Sequence, residues 1–100
     1  MRGILVVACF VAACQTGTST YAQDIARLCD AIRLSGASDK HGQERQLVVA
    51  MWLGKNLETP EAHDFLVRIQ PLEGSAKASA LEDEARRVGH ANCPLADLWR

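Results

Sequence analysis

One hundred residues allow one folded domain at most. Lys and Arg number 11 against 12 Asp and Glu, a net charge of −1, which excludes the broad basic field that nucleic acid or an anionic lipid surface requires. Of the first 14 residues 12 are apolar, so much of the 48% apolar content sits in a leader, and the rest of the chain has a modest supply for its core.

The leader opens Met1-Arg2-Gly3 and continues as an unbroken apolar run from Ile4 to Ala13. A single cation ahead of such a run is the plan of a secretory signal, whose charged start stays on the cytoplasmic side while the apolar stretch enters the membrane. A helix needs about 20 apolar residues to span the bilayer. This run is about half that long, too short for a stable spanning anchor.

Val11-Ala12-Ala13-Cys14 ends the run: an aliphatic residue, two small residues, then cysteine. Here the chain resembles a bacterial lipoprotein, whose lipobox has that order. The resemblance covers only the first 14 residues. It implies that the Cys14 thiol receives a diacylglyceryl group, that signal peptidase II cuts just before it, and that Cys14 becomes the acylated first residue of the mature protein. Two or three acyl chains hold a protein to a membrane stably, at about 0.8 kcal/mol per buried methylene, where one chain binds only marginally. Residue 15, which directs sorting in such proteins, is Gln15 rather than the aspartate that resembles an inner-membrane retention signal, so the resemblance points to the outer membrane. A second match, Val6-Val7-Ala8-Cys9, has too short an apolar run before it, and Cys9 reads as a small hydrophobe. A competing cut stays open. Thr20-Tyr21-Ala22 has small residues where signal peptidase I reads them, and that cut would release a soluble protein beginning at Gln23. The expected organisation is a signal over residues 1–13, a lipidated polar tether over 14–20 and a small helical domain over 21–100.

Past the tether the apolar spacing becomes helical. Ile25, Leu28, Cys29 and Ile32 share one face, Thr20 and Gln23 have the capping-box spacing, and Ser35-Gly36 ends a first helix over 21–34. Ser38 or Asp39 can cap a second helix reaching Leu57, whose run Leu47-Val48-Val49-Ala50-Met51-Trp52-Leu53 predicts the central helix, contacted on several sides. Thr59-Pro60-Glu61 is the clearest boundary: a capping threonine, a proline where its missing donor is harmless, and an acid near the positive helix end. Ala62, Phe65, Leu66 and Ile69 face inward in this third helix, which Pro71 closes. A fourth starts near Ser75, with Ala78, Leu81, Ala85 and Val88 inward, with Glu82–Arg86 and Asp83–Arg87 as i, i+4 pairs outside, and with Gly89 as its stop. A last short helix begins at Pro94 and packs Leu95, Leu98 and Trp99 against the rest. The expected fold is all-α, a four- to five-helix bundle in a single domain.

So small a core usually needs a staple. Cys29 lies on the inner face of the first helix and Cys93 just before the last; an exported protein can join them, and closing a loop of this length stabilises by about 4 kcal/mol in the chain-entropy account. The spacing of two residues usual in a redox dithiol is absent. A metal site built from Cys29, His90 and Cys93 lacks an obvious fourth ligand.

His41, His63 and His90 fall on three segments without the i, i+4 spacing that presents two imidazoles to one metal, and read as solvated surface residues. Trp52 and Trp99 are core residues or, alternatively, anchors for a partner. With no catalytic constellation or cofactor motif in view, the expectation is a membrane-anchored, non-catalytic accessory protein of the cell envelope that contacts another envelope protein. The alternatives are a soluble periplasmic or secreted inhibitor or immunity-type protein, and a small metal or cofactor binder.

Overall fold

The computed structural model describes residues 20–100; the apolar leader, the lipobox with Cys14, and Gln15 to Ser19 lie outside the described residues. Within them the chain is all-α, with six helices and no strand. These are α1 (Tyr21–Cys29), α2 (Ala31–Leu34), α3 (Gly42–Asn56), α4 (Pro60–Ile69), α5 (Gly74–Arg87) and α6 (Pro94–Trp99).

The extra helix arises at Asp30, where φ −100° and ψ 15° interrupt the expected first helix and divide it into α1 and α2. Aspartate is a poor interior residue because its short carboxylate competes for nearby polar groups, and here it engages Arg33 instead of capping either helix. The Thr20 capping box at the start of α1 is formed in both directions. At the other end, Gly36 takes φ 80°. That left-handed turn lets the Gly36 and Ala37 amides donate to the Arg33 and Ile32 carbonyls, closing the last turn and burying Ala37 completely.

The expectation for α3 fails in two respects. Neither Ser38 nor Asp39 caps it; it begins at Gly42 with His41 as an N-cap that makes no side-chain bond. Arg45 instead ties its first turn back to the connection, donating to the Ala37 and Ser38 carbonyls at 3.1 and 2.8 Å. Nor is α3 central. Only Val49 and Leu53 are buried along it, it docks chiefly on α2, and Leu47 and Met51 are 60% and 56% exposed. The central helix is α1, which packs on α2, α4, α5 and α6. It buries Ile25, Leu28 and Cys29 through one amphipathic face, whereas a run apolar on all sides can bury only as many sides as it has neighbours.

The other helices follow their caps and inward faces. Thr59 caps α4 through the Ala62 amide, with Pro60 in the first turn; Ala62, Phe65 and Ile69 are buried and Leu66 is half-buried. On α5, Ala78, Leu81 and Ala85 enter the core. Gly89 at φ 98° closes it in the same way as Gly36, with the His90 amide on the Ala85 carbonyl at 2.8 Å. On α6 Leu95 is buried as expected and Ala96, outside the expected inward set, is buried with it, while Leu98 and Trp99 pack half-buried against the core. The outer ion pairs of α5 are not the expected i, i+4 ones: Asp83 pairs with Arg86 and Glu84 with Arg87, while Glu82 reaches Arg100 beyond α6.

Candidate functional site

Cys29 and Cys93 are joined in a disulfide across 64 positions, with Cα atoms 4.3 Å apart. The bond closes the central helix onto the start of α6. Both sulfurs are consumed by it, so neither is a thiolate free to ligate a metal alongside His90. His90 is half-buried, and its Nε2–H donates to the Ala22 carbonyl at 2.8 Å. His63 is likewise half-buried and donates to the Leu57 carbonyl at 2.8 Å. The solvated reading holds for His41 alone; His63 satisfies the carbonyl of Leu57, which caps the C-terminal end of α3 and has no partner within that helix, and His90 adds a bond to a carbonyl in the first turn of α1. Among the described residues no three His, Cys, Asp or Glu side chains gather as a metal site requires.

The densest polar constellation was not legible in the sequence. Asp24, in the first turn of α1, is fully buried. Its Oδ2 accepts from the Thr59 amide (2.6 Å), the Thr59 hydroxyl (2.7 Å) and the Glu58 amide (2.9 Å), and its Oδ1 takes the Arg27 guanidinium (2.5 Å). Burial by itself would raise the Asp24 pKa, but the donors of Thr59, Arg27 and Glu58 outweigh it and hold the carboxyl below its ordinary value. This carboxylate ties the α3–α4 connection to the central helix.

A second cluster lines an open cleft of about 360 Å³ formed by Tyr21, Glu61, Asp64, Arg68, Glu84 and Arg87. The Tyr21 hydroxyl donates to Glu84, which also receives the Arg87 guanidinium in a fork at 2.9 and 2.7 Å. Chiefly through Arg87, Glu84 is held down to about 2, while burial and then the Glu84 bond push Tyr21 up to about 12. Near neutral pH the phenol therefore stays protonated and the carboxylate ionised, a poor setting for proton transfer, which works best with a pKa near the operating pH.

Comparison with protein families, curated proteins and solved structures finds no match. The residues themselves must carry the functional reading.

Trp52 and Trp99 are half-buried against the core. Trp99 carries the Lys77 ammonium 4.6 Å from its ring centroid. With Ala50, Leu53, Gly54 and Leu66 it lines a groove of about 250 Å³ beside α3. Trp52 does not line this groove; on the same helix α3, Leu47 and Met51 are exposed. Sequence reasoning missed this surface because it assigned the whole run of residues 47–53 to the core; the excess of apolar residues over the one stripe a peripheral helix buries was the available signal.

Proposed function

We propose that this chain is an exported bacterial lipoprotein, held to the membrane through acylated Cys14, whose disulfide-stapled helical domain is a non-catalytic partner-binding module of the cell envelope. The observation that carries the reading is the lipobox ending an apolar run, Val11-Ala12-Ala13-Cys14. The Cys29–Cys93 bond supports it, since such bonds persist in exported proteins and are uncommon in a reducing cytosol. The outer membrane, facing the periplasm, is the proposed location on the strength of Gln15.

The start of the domain favours this reading over a soluble inhibitor or immunity-type protein. A cut after Ala22 would remove the Thr20 cap, the Tyr21 bond to Glu84 and the Ala22 carbonyl that His90 engages. A cut before Cys14 leaves all three in place and adds a short polar tether ahead of them.

Intact-mass spectrometry of the native protein tests the proposal. The expected product begins at Cys14, carries acyl chains, and loses them along with membrane association in Cys14→Ala. An unmodified amine at Gln23 would overturn the anchoring and restore the soluble alternative.

A further inference from the structure

We infer that the outer face of α3 is a homodimer interface, on which a second copy of this chain packs its own α3 in antiparallel orientation. At 3.6 residues per turn, Leu47, Met51 and Gly54 lie opposite the buried Val49 and Leu53. Ala50 flanks this stripe on the side of the groove lined by Leu66 and Trp99. Glu44 and Lys55 flank it on the other side, near the two ends of the helix. Neither charge makes an ion pair among the described residues.

This pattern is self-complementary. In an antiparallel pair related by a two-fold axis, residues on one edge of the first helix meet residues on the same edge of the second. Glu44 and Lys55 share an edge, so each Glu44 comes opposite the other copy's Lys55. The midpoint of Glu44 and Lys55 and the midpoint of Leu47 and Met51 lie at the same level of the helix, within one residue rise of about 1.5 Å. One two-fold axis therefore matches both charged pairs and both apolar pairs together. Gly54 and Ala50 supply the low side chains between which the facing Leu47 can insert. A lipid surface fits this face less well, because an interfacial helix needs a cationic rim and the acid Glu44 stands on this one. Pairing would cover Leu47 and Met51, the largest apolar side chains that α3 leaves in water.

The test uses the mature protein as purified from its native host, in density-matched detergent if it is acylated, with sedimentation equilibrium and zero-length carbodiimide cross-linking. Glu44 and Lys55 of one chain are about 16 Å apart along α3, beyond the reach of a zero-length link, so a cross-linked Glu44–Lys55 peptide reports two chains. The expected result is a dimer that yields this peptide. Glu44→Lys or Lys55→Glu alone should raise the dimer Kd by about tenfold, since two symmetric pairs become repulsive, and the double swap E44K/K55E should restore it. Leu47→Glu should raise Kd by about a hundredfold or more and leave the helical circular dichroism unchanged, its side chain being exposed in the monomer. A monomer at about 100 μM, a dimer indifferent to Leu47→Glu, single reversals not rescued by the double swap, or a different protein found cross-linked at Lys55 would each overturn the inference.

Discussion

Asp24 shows how much one side chain can join. As the fourth residue after the Thr20 cap it reads as a favourable charge at a helix start, and nothing local announces its contact with Thr59, on a connection 35 residues away. Replacing it by alanine leaves the Glu58 and Thr59 donors without their acceptor, at a cost of about 3 kcal/mol. Its folded pKa lies below the unfolded value. The stability it contributes is therefore fully present above the ordinary carboxylate pKa of about 4 and is lost as the pH falls through the lower folded value. Urea unfolding followed from pH 7 to pH 2 should show a shallower acid loss for Asp24→Asn than for the parent; equal acid limbs would mean that another carboxylate dominates. Thr59 is the reciprocal residue, using its hydroxyl both to cap α4 and to bond Asp24. Thr59→Ala should cost about 2 kcal/mol and Thr59→Ser much less, because serine keeps the oxygen. Equal losses in the two variants would place the effect in the methyl group.

At the scale of elements, boundaries set by a single residue were legible and those set by neighbours were not. Thr59-Pro60, Gly36, Gly89 and Pro94 mark helix ends where the sequence placed them, because a cap, a proline or a left-handed glycine acts through its own backbone. Gly89→Ala tests this: an added Cβ meets no atom within 4 Å, so the cost should be that of a left-handed alanine alone, about 1 kcal/mol. A thermal melt showing no loss would mean the turn had relaxed to another conformation. The break at Asp30, the late start of α3 and the i, i+3 pairing on α5 depend instead on which groups the tertiary arrangement supplies.

For the whole molecule the controlling feature is the Cys29–Cys93 bond, which encloses most of the domain in one loop. Removing it with Cys29→Ala and Cys93→Ala together should cost about 4 kcal/mol, a large share of the 5–15 kcal/mol typical of folded domains. Equilibrium denaturation of the double variant, beside the reduced parent, measures this; a loss below about 1 kcal/mol would mean that helix packing suffices without the staple. The bond also fixes α1 as the hub, because it fastens that helix to α6 while α4 and α5 close around the same amphipathic face.

The sequence by itself determined the helical class, the main caps and stops, the inward faces of α1, α4, α5 and α6, and the candidate pair for a disulfide, because these follow from side-chain spacing and from the backbone preferences of single residues. Only the tertiary structure decided which helix lies at the centre. Periodicity tells which side of a helix is apolar, but the number of its sides that find a neighbour depends on how the remaining helices pack. That is why amphipathic α1 became the core and α3, despite its unbroken apolar run, kept Leu47 and Met51 in water. It is also why Asp24, unremarked along the chain, became the buried acceptor joining α1 to the start of α4.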